Sequence, residues 1–461
     1  MMNHLQGQPV IIGSGLSGMM ISLMLSRAHI PHVMIGGPPN QLPRLGESLN
    51  LDGTLGLLEF FPEFSRYYYP KKYSVGYLGD YTFICTFARG RISRIARLFF
   101  ALLGYQTPAE LIQFDRLGFD EALYQRVSAS PCCTQIRERV KGVTYDTSTD
   151  KITQICFVNG DILYPSYVFD ATNHGRLIGQ EAHIPCQMIG DEQRVVYTHY
   201  HARNDDPNYC EEWEDSTNII ALTKDHDGLQ GLVWCIPLGS YVSIGIQVKA
   251  SEEKLSNEEL LTIAEQAYAR RGLHYRRRYP HSGTVMNLRH RFFLHERAYG
   301  GNWLLVGTAY CQIWWMSGSG VGMALSAAQI AVRMLQNPEK IGQLYQDHLQ
   351  GLLQLHRIFD WFVYTDPSLL TVEKVAGKAD ELVSSNLRRV CKSTRLRRKK
   401  INRAFGWLFS RIVSVKGYCQ AIKVELSRQT EDIFQRTREL KYLKTVPVRG
   451  ITHERAEQAD R

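Results

Sequence analysis

The feature that most constrains this chain is a short apolar run followed at once by closely spaced glycines near the N-terminus. Residues 10–12 (Val-Ile-Ile) have strand character, and residues 13–18 place glycines at their first, third and sixth positions. Residues 19–28 then continue with helical periodicity. The order of strand, glycine turn and helix predicts the start of a dinucleotide-binding βαβ unit.

Each glycine of this turn has its own physical role. Gly13 permits the tight turn, Gly15 lets a pyrophosphate approach the backbone, and Gly18 lets the helix pack close to the strand. Leu16 and Ser17 open the helix, whose first N–H groups and partial positive charge favour phosphate. We therefore predict that the turn binds the phosphates of a dinucleotide.

The composition is that of a large globular enzyme. The chain has 461 residues, 44% of them hydrophobic and 21% charged, which is enough for two or three units around a sizeable core. No apolar run approaches the roughly 18 residues of a membrane span, and no signal peptide is recognised. The ten cysteines show no C-x-x-C spacing, so neither a disulfide framework nor a zinc site is indicated. We expect a cytoplasmic protein, either free or peripheral to a membrane.

The net charge of +9 is concentrated in two basic clusters. Five arginines lie within residues 270–278, and nine lysines and arginines lie within residues 388–403, ahead of an aromatic-rich stretch at 404–413. Such a segment either attracts an acidic partner or a membrane surface, or forms a solvated helix face. Nucleic acid is not an expected partner, because no recognised nucleic-acid-binding module accompanies the charge.

The rest of the pattern predicts a nucleotide-binding domain that a β-rich insertion interrupts. Strand patterns occupy residues 74–88, 140–169, 194–202, 231–250 and 302–307, and helix patterns occupy 114–127, 256–271 and 320–335. From about residue 341 onward the pattern is helical and increasingly basic, with no strand signal. The predicted fold class is therefore α/β, with a helical C-terminal region at 341–461.

Several dispersed motifs occur in the order found in one superfamily. After the glycine turn come Gly46-Glu47-Ser48 in segment 44–49, Arg116 in segment 113–123, the Asp-Ala-Thr segment at 170–172, and segment 306–321 with Gly307, Thr308, Ser319, Gly320 and Val321. On these motifs the chain resembles the flavin-dependent halogenases and FAD-dependent monooxygenases, which share the p-hydroxybenzoate hydroxylase-like fold. The resemblance covers roughly residues 8 to 340.

The resemblance implies an FAD-binding Rossmann-like domain with an inserted mixed β-sheet substrate domain. Within the catalytic region 1–340, the nucleotide-binding parts would be about 1–70, 105–175 and 300–340, and the substrate part about 71–104 and 176–299. It assigns FAD contacts to the glycine turn and to further motif residues: Glu47, Ser48, Arg116, Gly307, Thr308, Gly320 and Val321. Since no second glycine fingerprint is present, reduced FAD would come from a separate NAD(P)H flavin reductase.

Two positions depart from the family pattern. Thr308 stands where an aspartate normally holds the ribityl chain, and Gly36 stands where an acid usually receives the adenosine ribose. A threonine hydroxyl can still bond a ribityl oxygen, but without charge assistance. Each missing carboxylate contact would cost about 1.5–3 kcal/mol of affinity, so we expect weak or atypical FAD binding.

Two further sites bear on halogenation. Lys72 lies about 25 residues after the Gly-Glu-Ser segment, where halogenating members carry a lysine that meets hypohalous acid; otherwise it is a surface lysine beside Lys71. Ser319 and Gly320 match the positions beside which halide binds in halogenases, or they contact the isoalloxazine. The resemblance thus implies a catalytic role for Lys72.

A third site leaves the type of oxygenation open. In the family motif W-x-W-x-I-P, Leu232 replaces the first tryptophan whereas Trp234 is kept. His199, His201, Trp234 and Trp314 are candidates to line an aromatic pocket between the insertion and the flavin, or else they are core residues.

We therefore predict an FAD-dependent oxygenating enzyme of specialised metabolism, such as antibiotic biosynthesis, that halogenates or hydroxylates its substrate with reduced FAD and O2. Its substrate would be aromatic, either free or tethered to an acidic carrier protein that docks on the basic C-terminal region. The alternatives are a hydroxylase or maturase acting on a partner protein, a prenyl-chain reductase, and a non-catalytic flavoprotein-like binding protein.

Overall fold

The computed structural model describes residues 3–71, 73–86, 111–202, 216–252, 254–314, 318–379, 381–382, 385 and 423–427. The strands, in chain order, are β1 (Pro9–Ile12), β2 (His32–Ile35), β3 (Tyr68–Lys71), β4 (Tyr73–Leu78), β5 (Tyr81–Thr86), β6 (Leu111–Phe114), β7 (Cys133–Ile136), β8 (Val140–Asp146), β9 (Lys151–Phe157), β10 (Ile162–Leu163), β11 (Tyr167–Asp170), β12 (Cys186–His201), β13 (Ser216–Leu222), β14 (Gly231–Pro237), β15 (Tyr241–Lys249), β16 (His281–Ser282), β17 (Met286–His295), β18 (Trp303–Leu305), β19 (Cys311–Gln312) and β20 (Lys423–Ser427).

The α-helices lie between these strands and after β19. They are α1 (Leu16–Arg27), α2 (Leu51–Phe60), α3 (Arg116–Ser128), α4 (Leu177–Glu181), α5 (Lys224–Asp227), α6 (Asn257–Ala269), α7 (Tyr275–Arg278), α8 (Ser319–Met334), α9 (Pro338–Gln350), α10 (Leu353–Tyr364) and α11 (372–379). Among the residues that the structure describes, no helix is both long enough and apolar enough to cross a membrane.

The N-terminal strand lies at the centre of a five-stranded sheet in the order β18-β11-β1-β2-β7. All of its pairings are parallel, and Ile12 at the end of β1 pairs with both Asp170 and Ile35. Helices α1 and α8 pack together over this sheet. Because the carboxyl ends of β1, β2 and β11 meet at one edge, the loops that follow them form one candidate binding site.

The insertion forms a larger, mixed sheet in the order β19-β17-β12-β15-β14-β13-β4-β5-β20. The prediction of two strands within 231–250 is confirmed, since β14 and β15 form an antiparallel pair there. Helix α6 packs on one face, and the Tyr268 hydroxyl donates to the Asn218 carbonyl at 2.8 Å. The opposite face of β12, β14 and β15 packs toward the segment around Leu45. The α/β fold class predicted from the sequence is therefore what the structure shows.

The expectation that no strand follows residue 341 is wrong. Helices α9 and α10 do continue the chain, but β20 pairs antiparallel with β5, from Lys423 opposite Thr86 to Ser427 opposite Thr82. Five residues carry too short an alternation to indicate a strand by themselves. The unpaired edge of β5 supplies the partner that the sequence pattern does not reveal.

The most crowded glycine of the insertion lies in β15. A methyl group at Gly245 would lie 2.0 Å from Cζ2 of Trp234 and 2.6 Å from Cβ of Tyr197. We therefore expect Gly245→Ala to lower the free energy of unfolding by about 1–3 kcal/mol, as overpacking does. Chemical denaturation followed by circular dichroism measures this change. Gly377→Ala is the control, because an added methyl there meets no atom within 4 Å; an equal loss in both variants would contradict the packing argument.

Candidate functional site

In the glycine turn after β1, two glycines have no room for a side chain and the third has open space at its Cβ position. Gly13 has a φ of +113°, and an added Cβ would lie 2.4 Å from the Ala171 carbonyl oxygen. An added Cβ at Gly18 would lie 1.9 Å from the Gly13 carbonyl oxygen, which lets α1 pack against the turn. Gly15, at the N-cap of α1, has no atom within 4 Å of that position. The turn therefore leaves backbone open at the N-terminus of α1, beside Leu16 and Ser17.

The end of β2 adjoins the same turn. Gly36 has a φ of +151°, and a Cβ there would lie 2.3 Å from Oγ of Ser14. The Ser14 hydroxyl donates to the Gly37 carbonyl at 2.6 Å. This close approach explains the glycine at position 36, because any side chain would displace Ser14. An acidic side chain at position 36, where the dinucleotide fingerprint places a ribose-binding carboxylate, would therefore collide with Ser14.

Gly307, which is distant in sequence, packs beside the start of α1. A Cβ at Gly307 would lie 3.3 Å from Oγ of Ser17, and the Gly307 N–H donates to the Tyr345 hydroxyl at 2.9 Å. Thr308 follows, half-buried, in a single helical turn. The first helix and this distant segment therefore form one cradle, as the resemblance requires.

The start of α8 lies against the Gly46-Glu47-Ser48 segment. At the N-cap residue Gly318, φ is +62° and a Cβ would lie 2.9 Å from both the Ser48 carbonyl oxygen and the Asn50 nitrogen. Ser319 is buried, whereas Gly320 is exposed and has open space at its Cβ position. Gly320 thus presents free backbone at a helix N-terminus, where an anion or a polar ring would be favoured.

Two arginines fix the loop that carries this segment. Arg116, at the start of α3, donates to the Leu45 carbonyl at 2.7 Å and pairs with Asp120 at 3.0 Å. Arg44 reaches the same fully buried Asp120 at 2.9 Å. A Cβ at Gly46 would lie 3.1 Å from the Arg116 guanidinium and 3.6 Å from Val321. Arg116 therefore positions the loop. Its contact with flavin stays a prediction.

A buried polar cluster joins this loop to the inserted sheet. Glu47 Oε1 lies 2.9 Å from His199 Nε2, and both side chains are about 1% exposed. The Tyr241 ring stacks on His199 with centroids 4.4 Å apart, and its hydroxyl donates to Asp115 at 3.0 Å. Burial, with the charges of Glu47 and Asp115, raises the pKa of Tyr241 well above its usual value, so this hydroxyl stays a donor.

His201 lies at the exposed end of the same strand face. Its ring lies 5.9 Å from that of Tyr241, and burial together with the charge of His199 lowers the pKa of His201. Residues 195, 197, 199 and 201 alternate along β12, and the face that they share packs around Tyr241 and Trp234.

The two predicted pocket tryptophans do not lie together. Trp234 is buried against Tyr197 and donates to Ser243 at 3.4 Å. Trp314 is fully buried in a separate cluster, with Phe292 5.1 Å away. The expectation of one pocket lined by both tryptophans is therefore corrected: after β19 the chain turns Trp314 into the core beneath α10, which the sequence pattern could not indicate.

A buried lysine that the sequence interpretation passed over lies beside the Gly-Glu-Ser segment. Lys71 ends β3 and is only 5% exposed. Its ammonium donates to Ser48 Oγ at 2.8 Å and to the Leu49 carbonyl at 3.1 Å. Lys72, the predicted catalytic residue, lies outside the described residues, as does the basic segment at 388–403. The spacing from the Gly-Glu-Ser segment fits both lysines, and Lys71 is the one that the structure describes.

Solved structures with the same architecture span nearly all of this chain. Flavin-dependent brominase Bmp2 is 16% identical, with a TM-score of 0.58 over 95% of this chain and 99% of that one. Xcc4156, a flavin-dependent halogenase from Xanthomonas campestris, is 13% identical, with a TM-score of 0.60 over 95% and 96%. The chain has the fold of the flavin-dependent halogenases and FAD-dependent monooxygenases.

The monooxygenase side of this group is represented by PqsL, described as a probable FAD-dependent monooxygenase from Pseudomonas aeruginosa. It is 14% identical, with a TM-score of 0.59 over 81% of this chain and 100% of that one. No protein-family model matches the sequence, nor does any curated protein sequence. The halogenase and monooxygenase fold predicted from the dispersed motifs is thus confirmed, while the reaction is a separate question.

The surroundings of Trp314 generate a pH prediction. The backbone N–H of Trp314 donates to Nδ1 of His356 at 3.4 Å, and burial, with the charge of Arg357, lowers the pKa of His356 to about 4. An unfolded histidine titrates near 6.5, so stability is fully present above that pH and is lost as pH falls toward 4, by up to about 1.4 kcal/mol per unit. His356→Gln should therefore show a shallower loss of unfolding free energy between pH 6.5 and 4.5.

Urea denaturation at several pH values measures this slope. His4→Gln, at an exposed position, is the control and should keep the wild-type slope. Parallel curves for wild type and His356→Gln would show that the folded protein accepts a proton at His356 without cost.

Proposed function

We propose that the protein is an FAD-dependent oxidoreductase. The observation that carries this is the contrast between packed and open glycines at the two helix N-termini of the cradle. Gly13, Gly18 and Gly318 have no room for a side chain, whereas Gly15 and Gly320 have no atom within 4 Å of an added Cβ. Open glycines at the starts of α1 and α8 suit a ligand that lies against bare backbone at both ends.

The residues present fit FAD at the pyrophosphate and ring ends better than at the ribose. The N-terminus of α1 at Gly15, Leu16 and Ser17 would hold the pyrophosphate, and the start of α8 at Gly320 would face the ring. Thr308 would bond the ribityl chain through its hydroxyl. Bound reduced FAD supplies the electrons that activate O2. Because Gly36 and Thr308 replace carboxylates, we propose that FAD binds weakly.

Halogenation of an aromatic substrate is the specific reaction that we propose. An aryl C–H, one halide, one proton, one O2 and one reduced FAD would give the aryl halide, oxidised FAD and two water molecules. Lys71 supports this reaction, because a buried ammonium beside the Gly-Glu-Ser segment can hold and polarise hypohalous acid away from bulk water. We assign to Lys71 the role that spacing alone gave to Lys72.

Hydroxylation of the same class of substrate is the second candidate. Leu232 in place of the first motif tryptophan favours it. In that reaction an aryl C–H, one O2 and one reduced FAD would give a phenol, oxidised FAD and one water. The same proposal includes a separate flavin reductase and an acidic carrier protein that docks on residues 388–403. It also includes a role in specialised metabolism and a cytoplasmic location.

The open glycine at the start of α1 allows a direct test of cofactor binding. A Cβ at Gly15 would meet no atom within 4 Å and the backbone angles there are ordinary, so we expect Gly15→Val to cost the fold only about 1 kcal/mol, as loss of a favoured N-cap residue does. The valine would occupy the space of the pyrophosphate and weaken FAD binding by about tenfold or more. Fluorescence titration with FAD measures the affinity, and thermal unfolding without FAD checks the fold. Equal FAD affinity in both proteins would contradict the proposed cradle.

The role of Lys71 is tested with reduced FAD, O2 and bromide or chloride, using an electron-rich aromatic probe such as phenol or pyrrole. Lys71→Met keeps the length of the side chain without its charge, and we expect a loss of halogenated product of about 100-fold or more. Lys141→Met, at an exposed lysine, is the matched control. Halide-independent oxygenated product that is the same in both variants would favour hydroxylation instead.

A further inference from the structure

A chain of hydrogen bonds leads from Lys71 to the inserted sheet. Lys71 Nζ lies 2.8 Å from Ser48 Oγ, which lies 2.7 Å from Thr217 Oγ1. Thr217 Oγ1 lies 2.6 Å from Gln113 Oε1, and Gln113 Nε2 lies 2.9 Å from the Pro237 carbonyl oxygen. The chain thus connects the Gly-Glu-Ser segment, β13, β6 and the end of β14.

The direction of every bond in this chain follows from its last member. A backbone carbonyl can only accept, so the amide NH2 of Gln113 donates to Pro237 and its oxygen faces Thr217. The Thr217 hydroxyl must then donate to that oxygen, and it accepts the proton of Ser48. The Ser48 oxygen is left as an acceptor toward Lys71, whose ammonium carries only donors.

Three of the four side chains in this chain of bonds are buried, and Ser48 is half-buried. Gln113, Thr217 and Lys71 are each at most 5% exposed. Gln113 and Ser48 also form an isolated backbone bridge between their segments. Successive bonds in one direction polarise each other in a low-dielectric interior. The hydrogen bonds to Ser48 and to the Leu49 carbonyl therefore fix the direction in which the Lys71 side chain points.

We propose that Ser48, Thr217 and Gln113 are positioning residues that together hold the Lys71 ammonium and tie its position to the Pro237 end of β14. This inference rests on the proposed function in one respect, namely that Lys71 handles the halogen. Strand β14, which carries Trp234 and ends at Pro237, would then determine the position of the reacting lysine. Trp234 itself is not a member of the chain of hydrogen bonds.

Thr217→Val is the central variant, because it keeps the shape of the side chain and removes only the hydroxyl. Ser48 then loses its acceptor and no longer has to face Lys71 as an acceptor itself. Thr217→Ser restores the hydroxyl. Thr198→Val is the matched control, since Thr198 is a buried threonine of the same sheet whose hydroxyl donates to the Thr284 carbonyl, outside the chain of bonds.

The first measurement needs no flavin and no activity. Flavin-free protein is treated briefly with acetic anhydride, and the labelling of Lys71 relative to exposed Lys141 is read by peptide mass spectrometry. We expect this ratio to rise about fivefold in Thr217→Val, the size expected for one lost hydrogen bond, and to stay at the wild-type value in Thr217→Ser and Thr198→Val. An unchanged ratio in Thr217→Val, or an equal rise in Thr198→Val, would overturn the proposal.

The second measurement is the yield of halogenated product per O2 consumed. A displaced lysine should lower this yield about fivefold in Thr217→Val while O2 consumption and FAD affinity stay unchanged, and Thr217→Ser should restore it. Gln113→Met breaks the chain one bond further along and should act in the same direction if Thr217→Val proves unstable. If labelling responds as expected but the wild type forms no halogenated product, the proposed function fails and the positioning chain stands.

Discussion

The site depends on a backbone contact that excludes a side chain. Gly318 lies so close to Ser48 and Asn50 that a methyl group would collide with both. This contact brings the N-terminus of α8 against the Gly-Glu-Ser segment, which Arg44 and Arg116 hold through Asp120. Every other functional element is placed relative to these two segments, because the glycine turn reaches them through Gly307 and the buried lysine reaches them through Ser48.

Polar groups, rather than apolar packing alone, connect the nucleotide-binding part to the inserted sheet. Glu47 meets His199 on one side of the loop, and Ser48 meets Thr217 on the other. Such buried contacts are costly when a partner is missing and specific when all partners are present. The relative position of the two sheets is thereby restricted near the candidate site, while apolar clusters on either side supply most of the burial.

Much of the fold could be predicted from the sequence, because local patterns determine it. The strand, glycine turn and helix at the N-terminus and the helix at 320–335 have the character that periodicity indicated. The pairing of β20 could not be predicted, since it depends on an available edge far away in sequence. The burial of Trp314 is likewise set by α10, which lies beyond it in the chain.

The candidate site was predictable in its motifs but not in its side-chain environment. The spacing from Gly46-Glu47-Ser48 indicated a lysine near residue 72, and two adjacent lysines satisfied it equally. The burial of Lys71 depends on the pairing of β3 with β6, where Lys71 lies opposite Leu111. The Glu47–His199 contact joins residues about 150 positions apart, so only the assembled sheets bring them together.

The pairing of β20 with β5 has a consequence for handling the protein. Without β20, β5 would be an edge strand of the large sheet, with unpaired backbone N–H and C=O groups. A chain shortened before residue 423 would offer that edge to a second molecule, and self-association through added strands would follow at high concentration. Pairing with β20 thus protects the edge of β5 from strand pairing between molecules.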